Sequence, residues 1–130
     1  MNSRLFSTFV AAAAVASLGS ITMAQGNPEA AALENPVAAS PESIAAGQTS
    51  FNRYCASCHG RTAEGGVGND LIPDSPNLID EGWDHGSADG NIFDAIKNGV
   101  APNFDMIPWN NRMSDDEIWN VVNYLRSLAE

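Results

Sequence analysis

Cys55-Ala56-Ser57-Cys58-His59 is the stretch of sequence that decides the fold. Its two thiols lie three residues apart, and an imidazole directly follows the second thiol. This C-x-x-C-H spacing is typical of covalent c-type haem attachment, in which both cysteines bond the porphyrin and the histidine binds the iron. The sequence therefore predicts one covalently bound haem c, held by Cys55 and Cys58 and ligated by His59.

Two other chemistries use closely spaced cysteines. A thioredoxin-like redox pair belongs to a pattern of alternating strands and helices, and no strand pattern precedes Cys55. A structural zinc site needs four ligands, and the chain has only two cysteines. Haem attachment is therefore favoured over both the disulfide pair and the zinc site.

The first residues have the pattern of an export signal. Arg4 precedes an apolar, alanine-rich run from Leu5 to Leu18, and Thr22-Met23-Ala24 supplies small residues that a signal peptidase recognises before Gln25. The run is shorter than the about 20 apolar residues that a membrane span needs. We predict a Sec-type signal peptide over residues 1–24, a periplasmic location and no membrane span after cleavage. An uncleaved N-terminal anchor is the alternative.

Composition divides the remainder into a leader and a domain. Residues 25–40 contain two prolines and no aromatic residue, which predicts a flexible leader before a domain at 41–130.

The whole chain has 16 acidic residues against six basic ones, a formal net charge of −10. Nucleic acid and anionic membrane surfaces are therefore poor candidates as partners, and no nucleic-acid partner is expected. One domain of this size has room for one functional site.

Start and stop signals predict three main helices within the domain. Ser40 is an N-cap, followed by Pro41 in the first turn, where proline is favoured. Asp89 lies near the start of a second helix, which ends at Asn98-Gly99. Ser114-Asp115-Asp116-Glu117 is a capping box that begins the third. No strand pattern occurs, so the fold class is all-α, with three to four helices.

One glycine and two long loops refine this picture. Glycine inside a helix costs about 0.5–1 kcal/mol relative to alanine, so Gly47 predicts a close helix crossing, at which Phe51 meets Tyr124. Residues 60–86 and 100–112 are rich in glycine, proline and asparagine and are predicted to be irregular loops. Loops this long are uncommon in a compact domain unless they serve a function, and wrapping a flat ligand would be one.

The sixth ligand of the iron is open among four side chains. Met23 leaves with the signal peptide. Met113 precedes the capping box, where an apolar residue packs against Ile118. His85 lies in a loop, where a solvated histidine is the usual case. Met106 belongs to no helical stripe and lies in a connector rich in proline and asparagine, so it is the favoured ligand, with His85 and Met113 as alternatives.

Together these motifs resemble a class I c-type cytochrome. The residues that carry the resemblance are Gly47, Phe51, Cys55-Ala56-Ser57-Cys58-His59-Gly60, Pro76-Asn77-Leu78, Met106, Pro108-Trp109, Ser114-Asp115-Asp116-Glu117-Ile118-Trp119 and Tyr124-Leu125-Arg126-Ser127-Leu128. The resemblance covers about residues 41–130. The chain departs from the family at Ile107, because the family commonly places proline directly after the ligand methionine.

The resemblance implies the cytochrome c fold, in which helices and long irregular loops wrap one covalent haem between His59 and Met106. It also implies that the Pro76 carbonyl accepts a hydrogen bond from the His59 ring. Trp83 and Trp109 are candidates for hydrogen bonds to the haem propionates or for packing against the porphyrin rim. With both axial positions filled, the iron has no open site, so electron transfer is expected and enzymatic activity is not.

The predicted function is that of a monomeric periplasmic carrier of one electron between a dehydrogenase or respiratory complex and a terminal acceptor. Its redox partners are expected to present positive or neutral surfaces. The segment Trp83-Asp84-His85-Gly86 resembles bacterial cytochromes that accept electrons from quinoprotein alcohol dehydrogenases. The alternatives are a fixed electron-transfer subunit of a quinoprotein dehydrogenase or oxidase complex, and a haem enzyme or sensor with an open sixth position.

Overall fold

The computed structural model describes residues 26–66 and 74–129. The predicted signal peptide lies outside these ranges. The helices are α1 (Pro28–Ala31), α2 (Pro41–Tyr54), α3 (Ala56–His59), α4 (Asp89–Asn98) and α5 (Asp115–Leu128). These two ranges contain no strand, as the all-α prediction requires. Within them, no helix combines the length and apolar character needed to cross a membrane.

The three main helices begin where the sequence predicts, and α4 also ends where the sequence predicts. The Ser40 hydroxyl accepts a hydrogen bond from the Ser43 N–H at 3.2 Å and caps α2. At the start of α5, the Ser114 hydroxyl accepts from the Glu117 N–H at 3.2 Å, and the Glu117 carboxylate accepts from the Ser114 N–H at 2.8 Å. Helix α4 ends at Gly99, whose φ of 73° favours glycine.

Helices α2 and α5 cross at Gly47, and this contact is the most extensive between two helices. A Cβ atom at Gly47 would lie 1.9 Å from the carbonyl oxygen of Asn120 on α5. The Phe51 and Tyr124 rings meet beside the crossing, with centroids 5.5 Å apart. Both the predicted crossing and the predicted ring pair are therefore confirmed.

The core lies around α5. Its apolar stripe includes Ile118, Val121 and Val122, each at most 1% exposed. Burying such a side chain stabilises the fold by about 1.5–3 kcal/mol. Helix α4 packs on α5 through Phe93 and Trp119, whose rings stack with centroids 4.1 Å apart.

The leader differs from the prediction of a flexible segment. Its residues Pro28–Ala31 form α1, which packs against α4. Further along, the Asn35 side chain donates a hydrogen bond to the Asn123 Oδ1 on α5 at 2.8 Å. The amino-acid composition did not predict these contacts, because backbone and side-chain amide groups make them. The prediction considered only large apolar side chains.

Candidate haem site

An apolar cavity of about 410 Å³ lies between the main helices and the two loops. Phe51 of α2, Ile92 and Ile96 of α4, and Val121 and Leu125 of α5 form its helical walls. Parts of residues 74–86 and 100–106 complete the lining. The volume falls in the range of about 300–1,000 Å³ that is usual for cofactor pockets. Each main helix therefore contributes apolar surface to one cavity.

The C-x-x-C-H motif forms a single tight turn beside this cavity. Cys55 ends α2, and its carbonyl accepts hydrogen bonds from the N–H groups of Cys58 and His59 at 3.0 and 2.9 Å. Cys55 and His59 are buried and line the cavity. Cys58 is half-buried and is not among the lining residues. The local turn thus brings one thiol and the imidazole to the same cavity.

The two thiols are free and form no disulfide. Burial, with a smaller contribution from the charge of Cys58, raises the pKa of the Cys55 thiol to about 12. A thiol in this state is protonated at neutral pH, whereas redox pairs and zinc sites use thiolates. The structure therefore places a protonated and unbridged Cys55 thiol beside the cavity.

The His59 ring is held from one side by two oxygen atoms. Its Nδ1 lies 3.0 Å from the Ser75 Oγ and 3.4 Å from the Pro76 carbonyl oxygen. Burial lowers the pKa of His59, and the Pro76 carbonyl partly opposes this shift. Because a carbonyl only accepts hydrogen bonds, its contact needs the proton on Nδ1 and leaves the Nε2 lone pair for a metal ion.

Ser75 is a functional candidate that the sequence reasoning did not single out. Its hydroxyl is closer to His59 than the Pro76 carbonyl is. The signal was its position directly before Pro76, within a segment expected to supply a partner for the ring. A hydroxyl at this distance can accept a hydrogen bond from the Nδ1–H group, as a carbonyl can.

The structure places the three candidates for the sixth ligand in different surroundings. Met106 is half-buried and lines the cavity, and its carbonyl accepts a hydrogen bond from the Val100 N–H at 2.9 Å. His85 also lines the cavity but is exposed. Met113 is 4% exposed, belongs to the core and does not line the cavity. The structure therefore brings Met106 and His85 to the cavity of His59, and Met113 packs in the core as predicted.

The two tryptophans have different surroundings. Trp83 is half-buried and lines the cavity. Trp109 is not among the lining residues and packs on Tyr54, with ring centroids 5.5 Å apart. The Arg112 guanidinium lies 5.3 Å from the centroid of the Trp109 ring. The structure therefore places Trp83, but not Trp109, among the residues that line the cavity.

Among the residues that the structure describes, three exposed carboxylates belong to the cavity lining, namely Asp74, Asp84 and Asp105. They add a local negative charge to a chain whose net charge is already −10. An opening with such a charge attracts cations and repels anions over about 10 Å at moderate ionic strength.

These residues fit a covalently bound haem. The cavity is apolar, two thiols lie on one turn at its side, and a histidine with a free Nε2 lone pair and a thioether both line it. Imidazole and thioether are the axial ligand pair typical of c-type cytochromes with high potential.

Residues 42–125 match the family model described as cytochrome c oxidase, cbb3-type, subunit III. Among curated relatives, the cbb3-type cytochrome c oxidase subunit CcoP of Rubrivivax gelatinosus is 33% identical over 94 residues. The match covers 72% of this chain and 28% of that protein. The chain spans only 28–32% of the length of the first curated relatives that it matches.

Two solved structures share the fold. Cytochrome cL from the marine methylotrophic bacterium Methylophaga aminisulfidivorans is 31% identical, with a TM-score of 0.55 over 66% of this chain and 55% of that one. The c-type cytochrome KustC0563 is 22% identical, with a TM-score of 0.54 over 65% of this chain and 98% of that one. The arrangement of α2, α4 and α5 is therefore the cytochrome c fold.

Proposed function

Because the chain belongs to the cytochrome c family of the cbb3-type oxidase subunit III and so carries covalently bound haem c, we propose that it is a periplasmic one-electron carrier. The observation that supports this most is that His59 and Met106 line the same apolar cavity beside the C-x-x-C-H turn. Two protein ligands leave the iron no position for a substrate, which favours electron transfer over catalysis.

In this proposal each residue has a separate role. Cys55 and Cys58 hold the haem through thioether bonds, and His59 and Met106 bind the iron. The haem iron supplies a ferric–ferrous couple that takes up and returns one electron. Ser75 and Pro76 keep the His59 proton on Nδ1 and so fix the ring orientation. The apolar walls exclude water, which together with a thioether ligand favours the ferrous state and a positive potential.

The test of the carrier role is ligand binding by the reduced protein at neutral pH. A carrier with both axial positions filled should bind negligible carbon monoxide, and its absorption spectrum should remain unchanged under the gas. Rapid and stoichiometric carbon monoxide binding would instead support an enzyme or a gas sensor. A midpoint potential well below zero would count against Met106 as a ligand.

The proposed location is the periplasm, reached through a Sec-type signal peptide at residues 1–24. The small residues before Gln25 support cleavage at that point. The mass and N-terminal sequence of the exported protein test this proposal. A mature chain that begins at Gln25 is expected, and a chain that retains Arg4 would support an N-terminal anchor.

Redox partners are proposed to dock at the cavity opening with positive or neutral surfaces. The acidic Asp74, Asp84 and Asp105 favour a positive partner, and the exposed Phe104 and Ile107, each 44% exposed, offer apolar contact close to Met106 along the chain. A quinoprotein dehydrogenase is the proposed electron donor. Reduction of the ferric protein by cationic hexaammineruthenium(II) should slow with added salt, and reduction by anionic ferrocyanide should accelerate. Salt-independent rates would contradict the electrostatic part.

A fixed subunit of an oxidase or dehydrogenase complex is the second candidate. It is favoured by the matched relatives, which are cbb3-type oxidase subunits. Size-exclusion chromatography of a native extract distinguishes the two. A shuttle should elute as a monomer of haem protein, whereas a subunit should elute with a much larger complex.

A further inference from the structure

We infer that residues 26–37 position the His85–Asn91 wall of the haem cavity and limit the access of water to it. This segment, here called the N-terminal clamp, precedes the part of the chain that matches the family, which begins at residue 42. The inference rests on the proposed haem site and concerns residues outside the haem ligands. Three separate contacts along the clamp support it.

The first contact joins the start of the clamp to residues that line the cavity. The Asn91 side chain is buried at 6% exposure, lines the cavity and donates a hydrogen bond through Nδ2 to the Asn27 carbonyl at 2.8 Å. Gly86 also lines the cavity, and a Cβ there would lie 2.8 Å from the Gly26 Cα. A Cβ at Gly26 would lie 2.9 Å from the His85 carbonyl oxygen. The backbone of the clamp therefore lies directly against this wall.

The second contact joins α1 to the first turn of α4. A Cβ at Gly90 would lie 1.9 Å from the Ala30 carbonyl oxygen, so only glycine permits this approach. Ala30 is 4% exposed. Gly90 does not line the cavity, which allows the contact to be disturbed without changing the lining.

The third contact fastens the end of the clamp to the core. Asn123 on α5 is 6% exposed and accepts a hydrogen bond from the Asn35 side chain at 2.8 Å. Its Nδ2 donates to the Val37 carbonyl at 3.1 Å and to the Ser43 hydroxyl at 2.8 Å. Buried amide networks of this kind rigidify a structure when every group is paired. The clamp thus connects the cavity wall to the interface of α2 and α5.

The same wall has another attachment, but that one is closer to solvent. Arg126 donates to the Asp89 carboxylate at 2.7 Å and to the Ser87 carbonyl, and the side chains of Arg126 and Asp89 are 38% and 40% exposed. Exposed ion pairs contribute little. Weakening the clamp should therefore let the wall open locally while α2 and α5 remain folded.

The test uses haem-containing protein with either Asn35→Ala or Gly90→Ala. Neither residue lines the cavity. Gly90 is next to Asn91 in α4, so only an effect of Asn35→Ala must be transmitted by the clamp. Asn52→Ala replaces an exposed asparagine on α2 and is the matched control. Two quantities are measured for each protein. The first is the rate of hydrogen exchange of the Asn91 and Ile92 amides, with the Val121 and Val122 amides on α5 as the reference. The second is the midpoint potential.

We expect exchange of the Asn91 and Ile92 amides to accelerate about threefold to tenfold in Asn35→Ala, as loss of one part-buried hydrogen bond predicts. Gly90→Ala should accelerate these amides at least as much, because its new Cβ would clash with the Ala30 carbonyl oxygen. The α5 amides should exchange as in the control. Water at the haem stabilises the ferric state. When the solution is held at the midpoint potential of the unmodified protein, the ferric-to-ferrous ratio of each variant should therefore be about 3 instead of 1. A general loss of stability would accelerate the α5 amides equally.

Equal acceleration of all amides, or an unchanged potential in Asn35→Ala, would overturn the inference. If Gly90→Ala does not fold, Asn35→Ala alone decides. The proposed function fails in a different way, because the unmodified protein would then lack covalent haem or bind carbon monoxide. Unchanged exchange and potential in a haem-containing Asn35→Ala protein would refute the clamp alone.

Discussion

His59 lies at the end of a short helix that directly follows the 14 residues of α2, whereas Met106 lies in a connector that contains no helix. The His59 ring has two oxygen partners and is 8% exposed. Met106 is half-buried, and its neighbour Ile107 is 44% exposed. One proposed ligand is thus built into the helical frame, while the other is presented by a loop.

This difference suggests a division of tasks. A substitution in the helices that hold His59 also disturbs the crossing of α2 and α5, because α2 leads directly into Cys55. The connector that holds Met106 can vary in sequence and conformation with a smaller loss of stability. Substitutions on the His59 side should therefore affect stability, and those on the Met106 side should affect the spectrum, the potential and partner binding.

The largest effect on stability is expected from Gly47→Ala. The new Cβ would meet the Asn120 carbonyl oxygen at 1.9 Å, so the helices must separate. We expect the free energy of unfolding to fall by about 3 kcal/mol, the upper part of the usual range for overpacking. Chemical denaturation measures it. Gln48→Ala, at an exposed neighbouring position, is the control, and equal stability of the two variants would refute the close crossing.

A smaller effect is expected from Ser75→Ala, which removes the nearer oxygen from the His59 Nδ1. Loss of this hydrogen bond should lower the free energy of unfolding by about 1 kcal/mol. The Pro76 carbonyl remains as a partner, so both axial ligands should stay bound. Ser87→Ala, at an exposed loop serine, is the control. No change in stability relative to that control would mean that Pro76 alone orients the ring.

On the loop side, Ile107→Ser should change the free energy of unfolding by less than about 0.5 kcal/mol, because the side chain is exposed. Denaturation together with the ferric spectrum provides the check. A loss of stability comparable to that of Gly47→Ala would show that the connector is as rigid a part of the fold as α2, and the contrast between the two sides would disappear.

The smallest effect is expected from Asp105→Asn, which removes one carboxylate from the cavity lining. Reduction by hexaammineruthenium(II) at low salt should slow about twofold, since an exposed charge pair contributes less than about 1 kcal/mol. Stopped-flow kinetics measure it. Asp116→Asn removes an equal charge on α5 away from the lining. Equal slowing in both variants would indicate that only net charge matters.

The sequence predicted the helical frame well because its signals are local. Ser40, Gly99 and the capping box at Ser114 act within a few residues of the helix ends that they specify. The crossing at Gly47 was also predictable, because a glycine inside a helix is unfavourable unless another backbone approaches it.

The contacts that sequence reasoning missed are long-range and involve small or polar groups. The approach of Ala30 to Gly90 and the bond from Asn35 to Asn123 leave no hydrophobic period in the sequence. The packing of Trp109 on Tyr54 was also not predicted.

The most direct test of the account is the absorption spectrum of the oxidised protein, compared with Met106→Ala and Met113→Ala. A thioether bound to ferric haem gives a weak long-wavelength charge-transfer band from sulfur to iron. We predict that the unmodified protein and Met113→Ala have this band, and that Met106→Ala retains covalent haem but lacks it. A band that persists in Met106→Ala, or is absent from the unmodified protein, would contradict the assignment of His59 and Met106 as the axial pair.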